Sequence, residues 1–159
     1  MADVLTPEQR RRNMSRIQGR NTSLEMLLRR GLHARGLRYR LHRKNLPGCP
    51  DIVFPKYRVC MFVHGCFWHG HDCKLFRMPT TNVEFWEKKI ARNRERDRQA
   101  VESLLEMGWQ VLVLWECAVR KVGRRNFDEV LDQCINFIRS ENSNKSVFQV
   151  SGFVSKYQI

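Results

Sequence analysis

Between residues 65 and 73 the chain reads Gly65-Cys66-Phe67-Trp68-His69-Gly70-His71-Asp72-Cys73, which packs soft donors into one short loop. Cys66, His71 and Cys73 offer the thiolate and imidazole ligands that zinc takes, and zinc wants four of them in a tetrahedron. Cys117 follows an apolar run ending at Trp115. If that run lies beside residues 59–63, Cys117 arrives at the same sheet end and supplies the fourth ligand. The spacing is not the usual pair of CxxC knuckles, so four unrelated buried residues stand as the alternative. A closed four-ligand set would be structural, with no position left open for catalysis. His64 and His69 lie outside that set; each is open to an acid–base role or to a supporting or surface role.

A second chemistry starts at Pro50-Asp51, directly ahead of a short apolar run. Hydrolysis of a phosphodiester needs a metal to balance charge and activate water. Asp51 is the best single Mg²⁺ ligand, because hard oxygen suits that ion; the competing reading is a turn residue after Pro50. Glu25 can reach the same place, or simply complete a capping box with Thr22. Phe67 and Trp68 sit in the loop and Trp86 near the start of a helix, where each can either pack or stack on bases. Phe85 and Trp109 are expected in the core. Residues 87–98 carry Lys88, Lys89, Arg92, Arg94, Arg96 and Arg98, a basic face that can meet phosphate.

These side chains need elements to hold them. Thr6-Pro7-Glu8-Gln9 is a helix start, with Thr6 as cap, and opens a basic arm running to about Gly19 that is expected to order on a partner. Thr22-Ser23-Leu24-Glu25 starts a second helix, with Leu24, Leu27, Leu28 and Leu32 as its apolar stripe and Gly36 as its stop. Leu37, Tyr39 and Leu41 alternate as a strand, 51–54 and 59–63 form two more, and 64–73 is a loop. Thr81-Asn82-Val83-Glu84 predicts a third capping box for a long helix to Met107, stopped by Gly108. Residues 111–115 form a buried strand. Asn126 caps a last helix bearing Val130, Leu131, Ile135 and Ile138, and the tail past Ser140 is left unassigned. The order is helix, three strands, long helix, strand, helix, which predicts a mixed-sheet α/β or α+β layer fold.

Composition narrows the partner. The 159 residues hold 29 Lys and Arg against 16 Asp and Glu, a net charge of +13, so polyanions are drawn in and nucleic acid leads an anionic membrane surface. No apolar run reaches the roughly 18 residues a span requires. The N-terminus MADVLTPEQRRRNM has no apolar signal core, so a cytoplasmic protein is expected. Of the six cysteines, Cys60 and Cys134 fall in apolar stripes and read as core, and clustered thiols in such a protein point to metal before disulfides.

Pro-Gly-Cys-Pro-Asp at 47–51, Val-His-Gly-Cys-Phe-Trp-His-Gly-His-Asp-Cys at 63–73, Glu-Phe-Trp-Glu-Lys-Lys-Ile at 84–90, Asn-Arg-Glu-Arg-Asp at 93–97 and Gly-Trp-Gln-Val-Leu-Val-Leu-Trp-Glu-Cys at 108–117 resemble the very short patch repair endonucleases. The resemblance covers about residues 8 to 120. It implies a restriction-endonuclease-like core, with an N-terminal DNA-clasping arm at 1–20, the endonuclease domain at 21–140 and a C-terminal tail at 141–159. It implies a Mg²⁺-dependent enzyme that nicks 5′ to the thymine of a T·G mismatch left by 5-methylcytosine deamination. Asp51 would hold Mg²⁺ together with the main chain of Val63, His69 would act as base toward water, His64 would assist at the phosphate and Glu25 would support. Zn²⁺ would sit on Cys66, His71, Cys73 and Cys117. Phe67, Trp68 and Trp86 would wedge beside the mismatch from the major groove, while Met14 of the arm enters the minor groove. A monomer working at the nucleoid with matchmaker proteins and a repair polymerase would follow. Two positions depart from the family pattern: Val63 stands where a threonine is frequent, and Gly70 where some relatives have a histidine. Two other activities stay open, a restriction endonuclease of this fold acting on paired DNA and a zinc-ordered DNA-binding module without catalysis.

Overall fold

A computed structural model describes residues 5–120, 127–140 and 146–152. Helices α1 (Pro7–Ser15) and α2 (Ser23–Ala34) lead into strands β1 (Arg40–Leu41), β2 (Ile52–Phe54) and β3 (Val59–His64). Then come the long α3 (Val83–Glu106), β4 (Gln110–Trp115), the short α4 (Cys117–Arg120), α5 (Phe127–Arg139) and β5 (Val147–Val150). The strands form one five-stranded sheet in the order β1-β2-β3-β4-β5. β1, β2 and β3 pair antiparallel, whereas β3–β4 and β4–β5 are parallel. This is a mixed α/β sheet, as the element order predicts, and it is consistent with the restriction-endonuclease-like core that the resemblance implies.

Side chains alternate across the pleat and so feed two cores. Val59, Met61, Leu112 and Leu114 face Leu28 and Leu32 of α2 and Leu131, Cys134 and Ile138 of α5. Cys60, Phe62, Val111, Val113 and Trp115 face Ala100, Val101 and Leu104 of α3. By the same period-2 rule His64 follows Cys60 and Phe62 onto the α3 side, at the carboxyl end of its strand. Residue 52 pairs with Met61 in the antiparallel ladder, so Asp51 also lies at that end of the sheet. Two separate strands therefore deliver chemistry to one end of the sheet.

Local signals explain most boundaries. Thr6 and Gln9 exchange both capping-box hydrogen bonds, and α1 nevertheless buries none of its residues. Thr22 caps α2 through the Glu25 N–H. Gly36 (φ +86°) and Gly108 (φ +79°) take the left-handed conformation that ends a helix. Arg58 donates to the free carbonyls of Met107 and Gly108 and lies 4.8 Å over the Trp109 ring, tying the end of α3 to the β2–β3 turn.

Several expectations need correction. The capping box at Thr81 does not form: α3 starts one residue later, with Asn82 at φ +52° and no side-chain cap. Asn tolerates that backbone, so the chain's turn into the helix overrides the local signal. Leu27 is 45% exposed, because the buried stripe of α2 is completed by Glu25 and Arg29 instead. Phe85 is 57% exposed and not core, since the first turns of α3 project past the sheet. Strand β1 shrinks to two residues, and β5, in the stretch left unassigned, adds a parallel edge strand. The expected cap Asn126 lies outside the described residues.

Core placement gives a stability prediction. Leu112 is fully buried in β4, so Leu112→Ala should cost about 2–5 kcal/mol in urea denaturation. Leu27→Ala should cost under about 1 kcal/mol. Equal losses at the two positions would overturn this assignment of the core.

Candidate active site and metal centre

The loop from 65 to 73 leaves β3 and folds back on itself, with His71 N–H donating to the Cys66 carbonyl at 2.9 Å. Helix α3 clamps it: Asn93 Nδ2 donates to the Trp68 carbonyl at 2.8 Å, and the Arg94 guanidinium donates to the Gly70 and His69 carbonyls. Glu116, just past β4, accepts from the Cys66 N–H at 3.3 Å. Gly70 sits at φ +60°, and a Cβ there would press within 2.5 Å of Ile90 Cγ2.

Inside the loop Cys66, His71, Cys73 and Cys117 bring their ligand atoms within 4.8 Å of one another. Cys117 arrives because β4 runs parallel to β3, with Trp115 opposite His64. Its Sγ lies 3.5 Å from His71 Nδ1. Tetrahedral zinc with Zn–S of about 2.3 Å and Zn–N of about 2.05 Å sets S···N near 3.6 Å, so the spacing fits. The Cys66 thiol hydrogen-bonds Cys117 and holds the latter's pKa down to about 4, while that same bond and burial push Cys66 up. Without a cation one sulfur keeps its proton; a divalent ion lets both ionise. The donor set therefore suits a soft, four-coordinate divalent ion.

A second group lies on the other side of His64. His69 Nδ1 donates to Asp97 Oδ2 at 2.5 Å, a hydrogen bond that joins the loop to α3. The ring of His69 stacks on His64 at 3.8 Å and 4°. His64 is buried, with its pKa well below the usual value from burial and then from the neighbouring His69 and His71. Its neutral ring therefore accepts the stack without adding charge. Asp51 Oδ2 accepts from the Val63 N–H at 2.8 Å. Burial nonetheless pushes Asp51 up to about 6, and Glu25 adds to the rise. A carboxylate so placed is stabilised by a cation.

Glu25 reaches the cleft but does not close the expected capping box, because its carboxylate takes the Asn21 N–H, at 3.0 Å, and the Thr22 hydroxyl and not the Thr22 N–H. It pairs with buried Arg29 at 2.8 Å. It also meets His42 and Asp51 in a third cluster of ligand atoms within 4.8 Å. His42 has φ +44°, its pKa is lowered chiefly by burial, and its Nε2 lies 2.9 Å from the Arg29 guanidinium. Asp51, Glu25, His64, His69 and Trp68 all line one cleft of about 990 Å³.

The aromatic residues gather beside that cleft. Phe67 lies 5.1 Å from Trp68 and 5.2 Å from Trp86, edge-on in both cases. Lys89 Nζ stands 5.4 Å from the centres of both tryptophans. Of the arm, residues 17–20 line the cleft; Met14 is 39% exposed and is not among the lining residues. Sequence reasoning missed Asp97, His42 and Asn93. Asn93 and Asp97 stand in the motif at 93–97, but no role was legible for Asp97 there, since its partner is 28 residues away.

A mixed sheet with a carboxylate and a histidine pair at one end is an arrangement suited to metal-assisted hydrolysis, on a fold consistent with the restriction-endonuclease-like type. The comparisons make it a DNA enzyme. The sequence model for DNA mismatch endonuclease Vsr matches residues 2–75. The chain is 47% identical over 134 residues to the DNA mismatch endonuclease Vsr of Escherichia coli (strain K12), covering 84% of this chain and 85% of that protein. It is 47% identical over 123 residues to the type II nicking enzyme V.XorIIP of Xanthomonas oryzae pv. oryzae, 77% of this chain and 90% of the relative. The type II nicking enzyme V.NmeAIP of Neisseria meningitidis is 41% identical over 120 residues, 76% and 86% of the two chains. The protein belongs to the Vsr family of DNA endonucleases. No described helix is long and apolar enough to cross a membrane.

The buried thiol–imidazole set makes a metal prediction. A strong chelator should lower the melting temperature, and Cys117→Ser should lower it comparably and lose the further response to chelator. Asp51→Ala should stay chelator-sensitive. An unchanged melting curve after complete metal removal, verified by elemental analysis, would remove the structural role of these ligands.

Proposed function

We propose that this protein is a strand-specific endonuclease that nicks 5′ to the thymine of T·G mismatches arising from 5-methylcytosine deamination, in mismatch repair. One observation carries the reading: His69, bonded to Asp97, and Trp68 are adjacent in one loop and line the same cleft as Asp51. An acid–base group and a ring able to enter a base step are then one residue apart, so a disturbed pair and its phosphate are met together. The printed name of the Escherichia coli relative supports the mismatch as substrate.

Asp51 and the main-chain carbonyl of Val63 would hold Mg²⁺, which would set positive charge against the phosphate and acidify water. His69 takes the proton of the attacking water at Nε2, because Asp97 holds the Nδ1 proton and so selects the tautomer. His64, neutral and stacked on His69, supports the ring and faces the phosphate. Glu25 completes the acidic side of the cleft and pairs with Arg29. Cys66, His71, Cys73 and Cys117 would hold Zn²⁺, which would order the loop and leave Phe67, Trp68 and Trp86 as a preformed wedge from the major groove. The arm at 1–20 clasps the minor groove, where Met14 inserts, and the excess of cations meets phosphate. The enzyme works as a cytoplasmic monomer at the nucleoid, and matchmaker proteins and a repair polymerase take over the nick.

Two tests decide this. With Mg²⁺, a labelled duplex carrying one T·G in a cytosine-methylation context should be nicked once, beside the T, while a fully paired control stays whole. Asp51→Ala should abolish nicking, by roughly 10²-fold or more, and keep DNA binding. Cutting of both strands of both duplexes would move the protein to the restriction class, and binding without any cut would withdraw catalysis. Separately, Trp68→Ala should lose about 1–3 kcal/mol of preference for the mismatched over the paired duplex. Unchanged discrimination would remove the wedge.

A further inference from the structure

Among the described residues, two buried histidine nitrogens at the centre of the site have no hydrogen-bond partner: Nδ1 of His64 and Nε2 of His71. Rings in such positions are ordinarily aimed by a hydrogen bond from the nitrogen not in use. Here another group fills the space. The indole of Trp115, 3% exposed, stacks on His71 at 4.2 Å and 16°. The same indole meets His64 edge-on at 5.1 Å and 72°, and His69 at 6.3 Å and 76°. One ring thus touches the imidazole of the four-ligand set and both histidines of the cleft. Its own orientation is set from β5, where Gln149 Oε1 accepts the Nε1 proton at 2.9 Å. The segment after β5 makes a second contact with the ligand set, Gly152 N–H to Cys117 Sγ at 3.3 Å.

We infer that Trp115, pinned by Gln149 of β5, is a positioning residue that aims His71 at the zinc ligand set and His64 and His69 at the substrate phosphate, so that the C-terminal strand is a working part of the site. The inference rests on the roles given to these histidines in the proposed function. An aromatic face can fix a ring's plane without fixing a proton, which suits histidines that must stay neutral. Rotating the indole would move all three rings together, so ligand affinity and turnover should change in step.

Trp115 is core, and its truncation would leave a cavity. Gln149 is the cleaner probe, because Gln149→Leu removes only the acceptor and Gln149→Glu restores one. The test uses the full zinc-loaded chain. For Gln149→Leu we expect kcat on the T·G duplex to fall roughly 10-fold with KM unchanged, and zinc transfer to a chelator to quicken roughly 10-fold. The ¹H–¹⁵N imidazole signals of His64 and His71 should shift, and Gln149→Glu should return each readout toward wild type. Unmoved imidazole signals, zinc release and kcat, whatever the melting temperature does, would overturn the inference. So would a change in zinc release alone with unmoved His64 signals. If the wild-type protein leaves T·G duplex intact, the proposed substrate fails; the imidazole and zinc-release readouts, which need no substrate, then decide the positioning role by themselves.

Discussion

The parallel ladder between β3 and β4 runs from Val59 opposite Gln110 to His64 opposite Trp115, and both strands end at the same height. Parallel strands need a long crossover, supplied here by the loop at 65–73 and by α3. Their common end therefore receives His64 and the loop from one strand, and Trp115, Glu116 and Cys117 from the other. The antiparallel return of β2 brings Asp51 to the same edge. Without this ladder the thiols would remain dispersed along the chain and the carboxylate would face no histidine.

Charge at this edge is arranged by burial and by close pairing. Burial drives Asp51 up to about 6 and His64 well down, while the Cys66–Cys117 hydrogen bond pushes Cys66 up and Cys117 down. A cation would stabilise the charged form on the carboxylate and thiolate sides of that balance. The histidines are resolved by aromatic packing, through the His64–His69 stack and the Trp115 indole. Hard and soft donors are thus kept apart, with a wall of rings between them.

Outside this edge the molecule is strongly basic. Helix α3 shows the division of labour well. Ile90, Ala100, Val101 and Leu104 pack inward, and Asn93, Arg94 and Asp97 hold the loop. Arg98 is tied to Glu95 and Glu102 at the surface. One helix therefore joins core, loop and solvent. The exposure of Phe85 belongs to the same picture, since the start of α3 extends beyond the sheet into the aromatic group around Lys89.

Much was legible before any folding. Short-range patterns mark the helices, the buried strands and the glycine stops, because periodicity and backbone preference act over a few residues. The types of Cys66, His71 and Cys73 in one loop speak for a soft metal, and the charge speaks for a polyanion. What the local code could not carry was partnership across distance. His69 with Asp97, His42 with Glu25 and Asp51, and Trp115 with Gln149 become pairs only once the sheet has closed. Local code also lost where the global frame outweighed it, at Thr81, Leu27 and Phe85. The sequence by itself determined which groups could take a metal or move a proton. Only the tertiary structure decided which of them meet, because the strand register that unites them is set by burial of apolar faces far apart in the chain.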